Sequence, residues 1–532
     1  MLLIAGGMRR KISVEYSRVN VNRDDVAAFL KTVVQAIGSD RVHAGEDDRP
    51  AYSDQMGFDL GRHEPSGAVA PRSVEELREV VLVANAHKVP LWPISRGKNF
   101  GYGGAAPVQA GAVVVDLSGL RRIYEIDEKR GVCVVEPGVG FYDLYDELAR
   151  RGHPLWLSVP GNAWGSVAGN ALERGKGPQP YGDHGAQICG LEVMLPDGSL
   201  VRTGTGAMAG SATWHLSRDT YGPAWDQMFC QSNFGIVTRL GLWLMPAPEA
   251  TLSVDYALPN AGDLARGVEA LYPLRQRGLI DHDPAWVSYV GIASFVGPRA
   301  QWYEGEGLLP EDVGASIRSQ LGIGWWNSQL NFYGAEKVIR AKFEVVADAL
   351  AAQLSQRPEP RLWRQGDDFG ASHAGIPSTR DMAMIDWYGG RGGHLGFSPI
   401  LPADGARAQA QFESTRARFD AAGIDYYGAF SVGARAIINI NEILYDRDNA
   451  RMARAVPQLM DTLIADAAKQ GYGEYRTHID AMDTVAATQN YGADASGMGA
   501  MGRLNGVLKD ALDPNGILAP GKQGIWPARY RG

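Results

Sequence analysis

"PISRGKNFGYGGAAP", residues 93–107, is a loop that neither helical nor strand periodicity can contain. Before it, "VEELREVVLVANAH" (74–87) carries apolar residues at helical spacing and "VPLWPI" follows as a short strand. After it, "AVVVDL" (112–117) reads as another strand. Glycines at 97, 101, 103 and 104 beside an Arg/Lys pair let backbone N–H groups wrap around a pyrophosphate. No GK[ST] ends the loop, so it is not a Walker A element. An ordinary glycine-rich turn is the other reading.

Outward from this loop, strand and helix patterns alternate to about residue 246. "GVCVVEPG" (131–138) reads as a strand, and "FYDLYDELARRG" (141–152) as a helix ending at glycine. The strand–GxGxxG–helix unit of a nicotinamide-binding domain is missing near the start. "LMPAPEA" (244–250) reads as a domain boundary. Beyond it the pattern predicts long helices at 335–354, 406–422 and 450–470, interrupted by the glycine-rich loops "YGGRGGH" and "GYGEYRTH". The last stretch, "LNGVLKDALDPNGILAPGKQGIWP", is a helix and a Pro/Gly-rich coil able to return to the first domain.

At 532 residues the chain holds two or three domains. A net charge of −8 with both signs mixed excludes nucleic acid or an anionic membrane as the main partner. Cys133, Cys189 and Cys230 show no metal-binding spacing and read as buried small hydrophobes. In "MLLIAGGMRRKISVEYS" the basic residues follow a very short apolar run, the wrong order for a signal peptide, and no stretch is long enough to span a bilayer. A soluble cytoplasmic protein is expected.

Three further stretches carry candidate chemistry. In "SVPGNAWGSVAGNALERGKGPQPYGDHGAQICGLEVMLPDG" (158–198), Gly165, Ser166, Gly169 and Asn170 could lie against a planar ligand or simply start a tight helix. In "GGRGGHLGFSPI", His394 sits among glycines that admit a bulky partner, or it is a histidine satisfied near a turn. In "GYGEYRTHID" (471–480), Tyr475 and Arg476 are adjacent and would point apart on a strand. At a strand end they could converge on an anionic oxygen.

Together "GKNFGYGGAAP", "GSVAGNALERG", "PYGDH", "QSNFGIVT", "GGHLGFSPI", "GEYRTH" and "DPNGILAPGKQGIWP" resemble the vanillyl-alcohol oxidase family of FAD enzymes, which includes eugenol oxidase and 4-cresol dehydrogenase. The likeness runs from about residue 65 to 528. It implies an α+β, two-domain flavoprotein. The FAD-binding domain would comprise residues 1–246 and 480–532, and an α+β cap, 247–479, would form the substrate cavity.

By the same likeness, Arg96, Gly97, Lys98, Asn99, Gly101 and Gly103 would hold the FAD pyrophosphate. Pro160, Gly161, Gly165, Ser166, Gly169, Asn170, Asp183, His184, Ile236 and Lys522 would line the rest of the cofactor. His394 matches the histidine that links FAD covalently, which points toward an oxidase delivering electrons to O2. Tyr102, Tyr475 and Arg476 match the group that binds a phenol as phenolate. Holding that anion at pH 7 opposes roughly three pKa units, or about 4 kcal/mol. The implied reaction is hydride transfer from the para benzylic carbon to flavin N5 through a para-quinone methide. Water then gives an alcohol, or collapse gives an aldehyde. A homodimer is expected.

The sequence departs from the pattern at Ser158, where family oxidases carry an aspartate near flavin N5. The glutamate that 4-cresol dehydrogenases place nearby is also missing, with Ala429 at its position. Asp381 is the substitute candidate. Gly396, Ala429 and Ile438 together predict a wider, less polar pocket. A dehydrogenase passing electrons to a cytochrome is the second reading, and a flavin-binding protein without turnover the third.

Overall fold

The computed structural model describes residues 21–59, 61–364, 367 and 370–531; the amino-terminal stretch read above against a signal peptide lies outside them. Helix Val74–His87 forms as its spacing predicts, with Ser73 capping the start through Glu76 N and Leu77, Val80, Val81 and Ala84 facing inward. It packs on a four-stranded sheet in which Gly67–Val69, Val113–Asp116 and Leu91–Ile94 run parallel. Val113, Val114 and Val115 are fully buried, as expected of a strand covered on both faces. The 93–107 loop leaves the carboxyl end of Leu91–Ile94, where parallel sheets place ligands. A second, five-stranded antiparallel sheet contains Ile123–Asp127, Val132–Val135 and Ile236–Trp243. Helix Phe141–Arg151 ends at Gly152 in the left-handed region, φ 67°.

The carboxyl-terminal segment returns to this part of the chain. Leu91 N donates to Ile517 O and Ala519 N to Leu91 O. Asn233 Nδ2 donates to the carbonyls of Ala519 and Ile525. Lys509 is wholly buried, 2.8 Å from Asp513, and also donates to the carbonyls of Asn233 and Leu518. A charge so placed persists because every donor has a partner.

Residues 250–481 build a separate core on an antiparallel sheet of nine strands. Ala250–Leu258 pairs along its whole length with Trp326–Gly334, and Ala436–Asp446 pairs with both Gly428–Val432 and Gly392–Phe397. Helices Leu264–Gln276, Glu336–Leu354, Gly405–Ala422 and Ala450–Lys469 contribute buried apolar faces to this core. Strand Gly473–Glu474 pairs with Pro399–Ile400 and then stops, so Tyr475 and Arg476 follow a strand end and need not diverge. Among the described residues no helix is long and apolar enough to cross a membrane.

Candidate active site

A cavity of about 480 Å³ lies between the parallel-sheet region and the large sheet, a size typical of ligand sites. One side is built from turns and backbone. Gly97, Lys98, Asn99 and Tyr102 of the first loop line it, as do Pro160, Gly161, Gly165, Ser166, Gly169 and Asn170 of the second. Ile236 and Lys522 complete that side. Ser166 caps the short helix Val167–Leu172, its hydroxyl accepting from Gly169 N at 2.8 Å. Lys98 Nζ rests 5.1 Å from the centre of the Trp164 ring, and Lys522 pairs with Glu173.

The opposite side is built from side chains of the large sheet and its loops. Asp381, His394, Tyr475 and Arg476 all face the cavity. The Arg476 guanidinium carbon stands 3.9 Å from the centre of the Tyr102 ring and 5.7 Å from that of Tyr475. Burial pushes the Tyr102 hydroxyl well above its ordinary range, while the Arg476 charge works the other way. Arg476 Nε has no hydrogen-bond partner among the described residues. A buried cation with free donor capacity is suited to an anionic oxygen.

His394 lies on strand Gly392–Phe397 and is 5% exposed. Its Nδ1 is 2.9 Å from a carboxylate oxygen of Glu442, and its Nε2 is buried without a partner among the described residues. Gly101, at φ 77°, clears the space for this ring: a Cβ there would fall 2.5 Å from His394 Cε1. Asp381 lies directly over Gly161, and burial lifts its carboxyl to about 6 despite nearby Arg380.

Several predicted residues sit elsewhere. Arg96 turns away to Asp143, 2.9 Å distant, and does not line the cavity. Gly103 backs onto Ile479, and Asp183 pairs with Lys176 at 2.9 Å. Ser158 is drawn into the protein: its Oγ lies 2.8 Å from Gln179 Oε1 and 2.9 Å from His184 Nε2. His184 Nδ1 in turn lies 2.5 Å from Asn170 Oδ1. Burial lowers the His184 pKa to about 4, so the imidazole is neutral and contacts Asn170 and Ser158 behind the cavity wall.

The expectation of a wider pocket from Gly396, Ala429 and Ile438 is corrected. None of the three lines the cavity. A Cβ on Gly396 would meet the Tyr102 hydroxyl at 2.5 Å, so that space belongs to Tyr102. Ile440, in register with Ala429, reaches the cavity instead. Phe295, Met382, Met384, Tyr427 and Ile440 supply its apolar wall, with Phe295 edge-on to Tyr427 at 6.2 Å.

Sequence reasoning missed Glu442, Gln231 and Glu474. Glu442 continues the period-two face of Ile438 and Ile440, and a lone acid on such a face was its available signal. Gln231, at φ 46°, donates from Nε2 to Tyr475 O at 2.9 Å, tying the "QSNFG" turn to the Tyr475–Arg476 segment. Glu474 accepts from Ser398 N, and burial raises its carboxyl to about 8.

The residues present fit FAD. The first side offers turns opened by glycine and the lysines Lys98 and Lys522, and the second brings His394 to the cavity wall, its Nε2 without a partner among the described residues. Residues 65–204 match the family described as FAD binding domain, and residues 335–523 the one described as FAD linked oxidases, C-terminal domain. The flavoprotein subunit of 4-cresol dehydrogenase [hydroxylating] from Pseudomonas putida is 34% identical, over 92% of this chain and 94% of its own. The structure of 4-ethylphenol oxidase from Gulosibacter chungangensis with isoeugenol superposes with a TM-score of 0.89 at 33% identity, covering 96% of this chain and 99% of that one. Substrate-bound p-cresol methylhydroxylase gives 0.89 at 32% identity, covering 95% and 98%.

Proposed function

This chain belongs to the family of FAD-dependent enzymes that oxidise para-substituted phenols, and on that premise we propose that its Arg476, Tyr475 and Tyr102 bind the substrate as phenolate while FAD is held covalently through His394. The observation that carries the reading is the stacking of the Arg476 guanidinium over Tyr102, with Tyr475 beside it, in a buried cavity that also receives His394.

FAD supplies the hydride acceptor when bound. The protein supplies orientation and charge. A guanidinium and two hydroxyls at one end hold the phenol oxygen as an anion, whose electron density loosens a para benzylic hydride. The apolar wall of Phe295, Met384 and Ile440 packs a 4-alkyl or allylic substituent and keeps bulk water away. Asp381, with its carboxyl near 6, is ionised at neutral pH and takes the proton from water adding to the quinone methide, or from a benzylic alcohol collapsing to aldehyde. It thereby replaces the carboxylate absent at Ser158.

The core built within residues 250–481, separate from the three clusters formed almost wholly by the rest of the described chain, supports assigning residues 1–246 and 480–532 to cofactor binding and 247–479 to the cap. O2 is the proposed electron acceptor. The Pseudomonas putida relative is the flavoprotein subunit of a dehydrogenase, which makes a protein acceptor the second reading. Anaerobic mixing with a panel of 4-alkylphenols and 4-hydroxybenzyl alcohols is expected to bleach the flavin. An unbleached flavin across the panel would end the phenol reading. Under air, H2O2 formed in step with product separates an oxidase from an enzyme that turns over only with an added dye or cytochrome.

A further inference from the structure

His394 and Glu442 face each other inside the cavity, 2.9 Å from Nδ1 to Oε2, with their side chains 6% and 13% exposed. An ionised carboxylate only accepts, so the shared hydrogen lies on Nδ1, and the form of the ring able to attack through Nε2 is the neutral Nδ1–H tautomer. Nε2 has no partner among the described residues, and the ring rests in the space left by the missing side chain of Gly101. The pair therefore leaves Nε2 as the ring nitrogen available for a bond at the cavity wall.

We propose that Glu442 is the positioning residue that retains the Nδ1 proton when His394 is linked to the flavin, so that attachment also removes a negative charge beside the phenol site. The inference rests on the His394 linkage proposed above. Attachment forms a bond from Nε2 to the flavin 8-methyl carbon and breaks one methyl C–H bond. Two electrons pass to O2, which becomes H2O2 with the methyl proton and one proton from solvent. The imidazole's own proton stays between Nδ1 and Glu442. Without it, the alkylated ring would turn a bare lone pair toward a carboxylate at 2.9 Å, two acceptors facing each other in a buried site. The His394–Glu442 pair thus changes from net −1 to neutral.

That change reaches the substrate pocket through Gly396. Glu442 stands opposite Gly396 in the strand register, and the Tyr102 hydroxyl occupies the space where a Gly396 side chain would be. The Glu442 charge is among the influences that raise the Tyr102 hydroxyl, and it opposes a phenolate at Arg476 in the same way. Neutralising the pair leaves Arg476 with less competition, so the linked enzyme binds phenolate more tightly than the unlinked one.

The test follows acid-stable flavin over time after adding FAD to freshly purified protein. Wild type is expected to reach full linkage and His394→Ala none. Glu442→Gln keeps an acceptor for Nδ1–H but holds a proton poorly. It is expected to bind FAD and to link it at least tenfold more slowly, with Glu442→Asp recovering part of the rate. Wild-type protein that releases all its flavin in acid defeats the His394 reading itself. Linkage at the wild-type rate in Glu442→Gln defeats only the role of Glu442. Should Glu442→Gln not retain FAD, Glu442→Asp decides, a wild-type rate there counting against the inference and a slower one for it. The charge effect is read with unsubstituted phenol, which has no benzylic carbon, by flavin spectral titration in the His394→Ala background. Adding Glu442→Gln is expected to tighten phenol binding about tenfold, and equal or weaker binding overturns that half of the inference.

Discussion

The two sides of the cavity are built differently. The first side is drawn from two short segments, 97–102 and 160–170, which meet the cavity mainly through backbone and small residues. The opposite side draws Asp381, His394, Tyr427, Glu442 and Arg476 from separate segments spread over almost a hundred residues, and works through side-chain tips. A backbone cradle tolerates imprecise side chains because its donors belong to the chain itself. A wall of side chains depends on strand register, since a one-residue slip turns every side chain to the other face. Substitutions on the second side should therefore damage chemistry or flavin linkage, and those on the first, Tyr102 apart, should damage folding or cofactor retention.

The largest expected effect is at Arg476. Arg476→Ala removes most of the roughly 4 kcal/mol needed to hold a phenolate at pH 7, about three orders of magnitude in kcat/KM. Unfolding temperature and FAD content should change little, and normal turnover of a 4-alkylphenol would remove Arg476 from the site. Asp381 is next. Asp381→Asn should lower the rate of product formation on the order of 100-fold. In wild type the same rate should fall as pH drops through about 6, where the raised carboxyl takes up its proton. If the variant keeps that low-pH limb, another group is the base.

Gly101 probes the first side. Gly101→Ala adds a methyl at φ 77° and drives it into the His394 ring. A stability loss of about 1–2 kcal/mol is expected from the backbone alone, together with slower flavin linkage. A variant with reduced kcat but unchanged denaturation midpoint and linkage would contradict the division between the two sides. Glu474 is read through stability rather than rate. Its carboxyl is raised by burial to about 8, so its charged form is disfavoured in the folded state. Folding stability should fall as pH rises from the ordinary glutamate value through 8, and Glu474→Gln should flatten that slope. Equal slopes in urea denaturation between pH 5 and 9 would show that the carboxyl is not held out of water.

Local patterns determined much of this protein. The periodicity of 74–87 and 141–152 and the glycine spacing of 97–104 sufficed for those helices and that loop, because each depends on interactions within a short run of chain. The α+β flavoprotein fold, the cofactor class and the expectation that Tyr102, His394, Tyr475 and Arg476 share a site came from the resemblance that the seven motifs carry. Tertiary structure alone decided the fate of Ser158, bound to Gln179 and His184 behind the wall, and of Arg96, taken by Asp143. It also decided that Tyr102 fills the space at Gly396 and that Glu442 meets His394. Those outcomes turn on strand register and on which of several polar partners lies nearest after packing. Residues 394 and 442 come together only because Gly392–Phe397 pairs antiparallel with Ala436–Asp446, and no local pattern in either strand encodes that pairing.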